Sequence, residues 1–139
     1  MPLCHEFAII EKGSSENFTD AGMNVVSIAD EIVLYISDSL NWLDTWWNGK
    51  EKKKGLSYYG YTKIEGKNID KLICILEAWI ALFKIAPDEF VLKGDYLLKE
   101  DKYENNSFTK KELLLQLESL RAICIDAVNQ NKDILHNGI

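Results

Sequence analysis

One stretch near the middle of the chain constrains the fold more than any other. Residues 68–87 read NIDKLICILEAWIALFKIAP, with apolar side chains every three or four positions: Ile69, Leu72, Ile73, Leu76, Trp79, Ile80 and Phe83. This spacing is typical of an α-helix. Asn68 is placed to cap its start, and Pro87 ends it. Because the polar stripe is thin, we expect a central core helix that is covered on two sides.

The composition is that of one globular domain, residues 1–139. The chain has 139 residues, of which 47% are hydrophobic, and this length is enough to bury a core without disulfides or metals. The net charge is −6 and the single arginine is Arg121. An acidic chain with one arginine lacks the basic surface that nucleic-acid binding requires. We therefore expect no nucleic-acid partner.

Cysteine usage and the N-terminal residues indicate a compartment. The three cysteines, Cys4, Cys74 and Cys124, are odd in number and lack metal-binding spacing. We expect buried, reduced thiols, as in a cytoplasmic protein. The first ten residues lack the basic start of a secretory signal. Glu77 interrupts the core helix, whose apolar run falls short of the ~20 residues that span a bilayer, so no membrane association is expected.

The first half of the chain reads as strand, loop and helix. Residues 4–10 predict an edge strand, and residues 11–22 predict a loop rich in Gly, Ser, Asn and Asp. A long amphipathic helix is predicted over residues 27–48. Ser27 and Asp30 would form its capping box, and Gly49 would terminate it.

The middle of the chain reads as a basic turn and a strand. Residues 49–55, GKEKKKG, predict the turn. Residues 56–66 alternate at period two and are rich in aromatic and β-branched side chains, which predicts a strand. Gly60 within it suggests a bulge or a close backbone approach.

The last third predicts a strand region and a helix. Residues 89–103 suggest strands interrupted near Gly94, and residues 104–108 a turn. Thr109 and Glu112 form a T-x-x-E capping box that opens the final helix. Its apolar positions are Leu113, Leu117, Leu120, Cys124, Ala127 and Val128. The last residues, 134–139, are expected to be loosely attached.

These elements predict an α+β domain in which three helices pack on a small sheet. The order is strand, helix, strand, helix, strand or hairpin, helix. The connection from residues 56–66 to 89–98 through the core helix would be a right-handed crossover if the two strands are parallel. An antiparallel arrangement remains open.

The sequence contains no recognised catalytic or cofactor-binding motif, so no catalytic residue, cofactor or metal is expected. Cys4, His5 and His136 would meet as metal ligands if the termini lay side by side, but ordinary core or surface histidines are favoured. Glu77 would act as an acid or base if it were buried. The favoured interpretation places it on a solvated stripe.

Aromatic and acidic residues together suggest a partner-binding surface. Asp38, Asn41 and Asp44 recur at spacings of three, which predicts one exposed helical face. Tyr59 and Tyr61 share one face of their predicted strand, and exposed aromatics are enriched at binding hot spots. Residues 1–48 carry a net charge of −7, while residues 49–71 carry +4. The acidic part would attract a basic partner.

With this profile the chain resembles the small acidic immunity proteins that bacteria encode beside polymorphic or contact-dependent growth-inhibition toxins. Such a resemblance implies a cytoplasmic protein that neutralises a cognate toxin, often a nuclease, by tight one-to-one binding over its active site. The partner would be basic. The basic cluster Lys50–Lys54 departs from a purely acidic surface. The predicted contact residues are Asp38, Asn41, Asp44, Tyr59 and Tyr61.

Two other classes of function remain open. A generic interaction module, such as a homodimer, would use the same exposed aromatic residues. A small enzyme or ligand-binding domain would have a pocket that a single sequence does not reveal. A concentration-dependent mass would favour the first of these, and a deep pocket lined by Glu77 or a histidine would favour the second.

Overall fold

The protein is α+β, as its sequence pattern predicts. The computed structural model describes residues 3–13 and 25–139, and within them the chain forms three helices and eight strands. The helices are α1 (Asp30–Leu40), α2 (Lys67–Phe83) and α3 (Lys110–Asn129). The strands are β1 (Cys4–Ile10), β2 (Val25–Ala29), β3 (Asp44–Trp47), β4 (Glu51–Lys54), β5 (Tyr61–Ile64), β6 (Glu89–Leu97), β7 (Lys102–Thr109) and β8 (Asp133–Asn137).

Six strands form one antiparallel sheet in the order β2-β1-β8-β5-β3-β4, and β6 and β7 form a separate hairpin. The crossover suggested for residues 56–66 and 89–98 is therefore wrong, because β5 and β6 belong to different sheets. The helices cover one face of the six-stranded sheet. Four strand residues on this helix-covered face join the core: Phe7, Ile28, Ile64 and Ile134.

The central helix is confirmed as α2. Its apolar positions Ile69, Leu72 and Leu76 are each 1% exposed or less, and α2 packs against α3. The predicted cap is wrong, because the residue at the N-cap position is Gly66 and it makes no side-chain cap. Asn68 lies inside the first turn, where its Oδ1 accepts a hydrogen bond of 3.0 Å from the Asp44 backbone N–H. It thus links α2 to β3.

The strand at residues 4–10 is confirmed, but its predicted edge position is wrong. β1 pairs with β2 on one side and with β8 on the other. β2 is a strand that the sequence pattern did not reveal, because its last three residues, 27–29, were assigned to the start of a helix. Of the loop predicted over residues 11–22, residues 14–22 lie outside the described ranges.

The long helix predicted over residues 27–48 is also wrong in extent. Ser27 pairs with Glu6 in the sheet, and α1 begins at Asp30 after the N-cap residue Ala29, which rules out the predicted capping box. The helix ends at Leu40. The run Thr45-Trp46-Trp47 is β-branched and aromatic and forms β3, where it gains a sheet partner on each side. Gly49 then has a φ of 74° in the turn to β4.

The middle segment contains two shorter strands than expected. Part of the predicted basic turn, Glu51–Lys54, is the edge strand β4, and the predicted strand over residues 56–66 shortens to β5. The close backbone approach suggested for Gly60 is confirmed, although the residue precedes the strand. A Cβ there would lie 2.5 Å from Asn48 Oδ1 and 2.9 Å from Ser57 Oγ.

The hairpin and the last helix agree in part with the sequence pattern. The pairing of β6 with β7 shifts register between Lys93 and Tyr96, as the interruption predicted near Gly94 requires. The turn predicted at residues 104–108 is wrong, because those residues lie in β7. The Thr109 cap is confirmed by a 3.1 Å hydrogen bond from the Glu112 N–H to its side chain. Five of the six predicted apolar positions of α3 are buried, and Val128 is 40% exposed.

The expectation of a loosely attached C-terminus is wrong. β8 lies between β1 and β5 in the sheet, and Ile134, Leu135 and His136 are fully buried. The run is short, so periodicity alone did not distinguish a central strand from a tail.

The predicted burial of the cysteines is wrong for two of the three, because Cys4 and Cys74 are exposed while Cys124 is buried. All three thiols are free.

The helices of the described residues are too short or too polar to cross a membrane.

Candidate functional site

The sheet brings together the two histidines, which the sequence places near opposite termini. His5 lies on β1 and His136 on the adjacent strand β8, where His136 pairs with Phe7. Because side chains alternate along a strand, His5, Phe7 and His136 share the helix-covered face. His5 Nδ1 and His136 Nε2 are 2.8 Å apart, and both residues are fully buried.

Three further side chains extend this contact into a hydrogen-bonded series. Asp30 Oδ1 lies 2.9 Å from His5 Nε2, and Asp30 Oδ2 accepts a 2.7 Å bond from the Tyr58 hydroxyl. At the other end, His136 Nδ1 lies 3.2 Å from Thr62 Oγ1. We call these five residues, Thr62, His136, His5, Asp30 and Tyr58, the histidine chain.

The tautomers of both neutral imidazoles follow from this geometry. An ionised Asp30 can only accept, so His5 Nε2 carries a proton and His5 Nδ1 is an acceptor. His136 Nε2 must then donate to His5, which leaves His136 Nδ1 as an acceptor for the Thr62 hydroxyl. Thr62 Oγ1 in turn accepts a 2.8 Å bond from the Ser57 N–H. Every polar atom in the series has a partner in this arrangement.

Two glycines allow the segment that carries Tyr58 to dock on the end of β8. Gly138 donates a 2.9 Å bond to Gly60 O, and a Cβ at Gly138 would overlap the backbone of Tyr58. Ile139 N–H donates to Tyr58 O at 2.9 Å. The Tyr58 ring thus meets His5 edge-on, with 5.4 Å between ring centroids, and its hydroxyl reaches Asp30. One sequence signal pointed to this arrangement, namely the close backbone approach suggested at Gly60.

Burial controls the electrostatics of the histidine chain. Desolvation, followed by the neighbouring charge of His5, lowers the pKa of His136 to about 3. Desolvation, followed by the hydrogen bond to Asp30, raises the pKa of Tyr58 well above its usual range. The pair does not suit a metal, since each inner nitrogen is used by the other ring. Within residues 3–13 and 25–139, no three His, Cys, Asp or Glu side chains are grouped to hold a metal ion.

The histidine chain ends at a surface cleft of about 430 Å³ between α1 and the β6–β7 hairpin. Asp30 and Tyr58 line it from below, and Tyr35 lines it from α1. The other charged residues around it are Glu31, Lys93, Asp95 and Glu104. The cleft therefore carries four carboxylates against one ammonium group. The sequence pattern missed it, because its walls come from four separate segments.

The predicted acidic face is divided by the end of α1. Asp38 is exposed on α1 and Asn41 is the C-cap residue, but Asp44 begins β3 and does not continue the helix. Lys54, which faces Asp44 across the β3–β4 pair, lowers the pKa of that carboxyl group through a hydrogen bond and its charge. Asp44 is thus balanced locally by Lys54, whereas Asp38 is exposed on the helix surface.

The two predicted tyrosines are exposed but do not share a strand face. Tyr59 is 82% exposed, precedes β5 and packs edge-on against Tyr58. Tyr61 is 40% exposed on β5 and alternates with the buried residue Thr62, so it points away from the helix-covered face. Asp38 belongs to the helix layer. Asp38 and Tyr61 therefore lie on different sides of the sheet.

An apolar groove at the end of α1 is a second surface feature that sequence reasoning missed. It has a volume of about 270 Å³ and is lined by Ser39, Trp42, Ile75, Ala78, Trp79 and Leu82. Trp42 is 64% exposed and Leu82 is 52% exposed. The floor is fixed, because Trp79 Nε1 donates a 2.9 Å bond to Ser39 Oγ. Trp42 lies within the segment predicted as a long helix and was not among the predicted contact residues.

Glu77 has the solvated position that was favoured for it. It is exposed on α2 and forms a 2.8 Å ion pair with Arg121 of α3. This pair links the two helices at the surface, where its contribution to stability is about 0–1 kcal/mol.

Comparison of the chain with protein-family models, with curated proteins and with solved structures gave no match.

Proposed function

We propose that this protein is an immunity, or antitoxin-like, protein that binds and neutralises a cognate bacterial toxin by protein–protein contact. The single observation that carries the proposal is the apolar groove, with Trp42 exposed at its rim. Exposing a tryptophan beside a ready-made apolar groove is unfavourable for an isolated chain in water, and such patches mark interaction sites. Tryptophan is also the residue type most enriched among binding hot spots.

Charge supports a basic partner. The chain carries a net charge of −6, and Asp38 lies exposed on α1 one turn before Trp42. A carboxylate on the helix that leads to the apolar groove speeds encounter with a basic protein and orients it, while the buried contact sets the lifetime of the complex. Asn41, next to Trp42, extends the same end of α1. Asp44, Tyr59 and Tyr61 remain predicted contacts on other parts of the surface.

The test is protection of growing cells against the toxin that is encoded beside this protein's gene. We expect wild type to protect and Trp42→Ala to lose protection, with a binding loss on the order of 2 kcal/mol, about thirtyfold in Kd. Leu115→Ala is the matched control, because Leu115 on α3 is also 64% exposed. Asp38→Lys should mainly slow association and reduce its dependence on salt.

Two results would contradict this proposal. If no neighbouring gene encodes a growth inhibitor, or if Trp42→Ala and Leu115→Ala protect as well as wild type, the groove is not a toxin-binding site. Self-association is the alternative use of the groove. It would appear as a dimer in sedimentation velocity that Trp42→Ala dissociates and Leu115→Ala does not.

A second candidate function, small-molecule binding, is favoured by the cleft above Asp30 and Tyr58. Its four carboxylates would select a cationic ligand. A screen of amines and guanidines by thermal shift tests it. A stabilising ligand whose effect disappears in Asp30→Asn would support this function, and the absence of any such ligand would exclude it.

A further inference from the structure

The histidine chain has two hydrogen-bonded arrangements that differ by one proton. In the neutral arrangement, Thr62 donates to His136, His136 donates to His5, and His5 donates to Asp30. If His5 takes up a proton on Nδ1, the bond to His136 reverses, and His136 moves its own proton to Nδ1. Thr62 Oγ1, which already accepts from the Ser57 N–H, then accepts from His136 as well, and its own hydroxyl proton no longer points at His136. Each contact between heavy atoms is kept in both arrangements.

A second proton cannot be accommodated in the same way. It would place an N–H on both facing nitrogens, which are 2.8 Å apart, and two positive charges in a fully buried pair. The pKa of about 3 for His136 agrees with this limit, since its causes are burial and the charge of His5. The folded protein therefore has room for one proton on the pair, with Asp30 as its counter-charge.

We propose that the His5–His136 pair stores a single proton and thereby switches the charge at the floor of the cleft while the hydrogen-bonded framework stays intact. With His5 neutral, the Asp30 carboxylate is held by two neutral donors, His5 and Tyr58, and its charge faces the cleft uncompensated. With His5 charged, the carboxylate is balanced from inside the protein. The net charge of the cleft region then changes by one unit.

The other charged groups of the cleft do not contact the pair. Asp30 comes from α1 and Tyr58 from the segment before β5, and these are the groups that meet His5 directly. Glu31, Lys93, Asp95 and Glu104 line the cleft beyond them. Asp95 acts on Tyr58 through space and raises its pKa. Removal of Asp95 is therefore a matched control for removal of the Asp30 charge.

The experiment is a pH titration of the imidazole nitrogens by ¹⁵N NMR. The chain has two histidines, so every imidazole signal belongs to this pair. At high pH we expect both rings as Nε2–H tautomers. As the pH falls, His5 should become a cation while His136 stays neutral and changes to the Nδ1–H tautomer in the same step. A tautomer change in one ring that follows protonation of the other would not arise from two independent histidines.

Three results would overturn the proposal. They are simultaneous conversion of both rings to cations, retention of the Nε2–H tautomer by His136 beside a charged His5, and absence of any proton uptake before unfolding. Asp30→Asn keeps an acceptor for His5 but removes the counter-charge, so it should lower the proton affinity of the pair at least tenfold. Asp95→Asn should change it by much less. If Asp30→Asn fails to fold, the tautomers of His5 and His136 in the wild-type protein still test the proposal.

Discussion

The histidine chain and the apolar groove depart from the usual distribution of side chains in opposite directions. The first buries two imidazoles, a threonine and a carboxylate, and the second exposes a tryptophan and a leucine. Buried polar groups persist when each has a partner within the chain, and the histidine chain meets that condition. The apolar groove has no such cover among residues 3–13 and 25–139, where Trp42 and Leu82 stay exposed. Buried polar groups that are hydrogen-bonded within the fold indicate a structural role, whereas an exposed apolar groove indicates a binding site.

The largest effect should come from the core beneath the groove. Leu76 is fully buried on α2, one turn before Trp79 of the groove. Leu76→Ala should lower the free energy of unfolding by roughly 2–5 kcal/mol through a cavity. Denaturant titration measures this loss. A loss below about 1 kcal/mol would show that α2 is not the central helix.

Breaking the histidine chain should lower the free energy of unfolding by less than a cavity in the core does. His136→Leu fills much of the space but leaves His5 Nδ1 without its partner, while Thr62 Oγ1 still accepts from the Ser57 N–H. Each unsatisfied buried group costs about 1–3 kcal/mol. Equilibrium unfolding near neutral pH is the measurement, with exposed Asn105→Leu as a control for the added leucine. If His136→Leu is as stable as wild type, the histidine chain does not stabilise the fold.

The pH dependence of stability should distinguish the histidine chain from the rest of the fold. The pKa of His136 is about 3 in the folded protein, against 6.5 for an unperturbed histidine, so the unfolded chain binds the additional proton first. The stabilisation is complete above pH 6.5 and is lost as the pH falls towards 3. The slope for one proton is at most about 1.4 kcal/mol per pH unit. His136→Leu should flatten this slope, and an unchanged slope would contradict the assignment.

The smallest effect on stability should come from the groove itself. Trp42→Ala removes a side chain that is 64% exposed, so the free energy of unfolding should change by no more than about 0.5 kcal/mol. Its effect should appear in partner binding instead. A thermal melt of Trp42→Ala beside Leu115→Ala tests this. A loss of several kcal/mol would make Trp42 part of the core and remove the basis for a binding groove.

Long, strongly periodic segments were predictable because their pattern is local. The helices at residues 67–83 and 110–129 follow from apolar spacing, and the Thr109 cap follows from two residues three positions apart. Shorter segments were not. Residues 27–29 and 44–47 continue the spacing of α1 by coincidence, and only neighbouring strands stabilise them as parts of β2 and β3. Strand pairing depends on distant residues, which a local pattern does not record.

The sequence by itself determined the class of the fold, the central helix and an acidic surface without a recognised catalytic motif. Only the tertiary structure placed β8 between β1 and β5, which brought His136 within 2.8 Å of His5, 131 positions away in the chain. It also ended α1 at Leu40, which left Trp42 at the rim of the apolar groove. The physical reason is the same in both cases. Helical periodicity depends on residues that are close in the sequence, whereas a buried polar pair and an open apolar groove form between segments that meet only when the chain has folded.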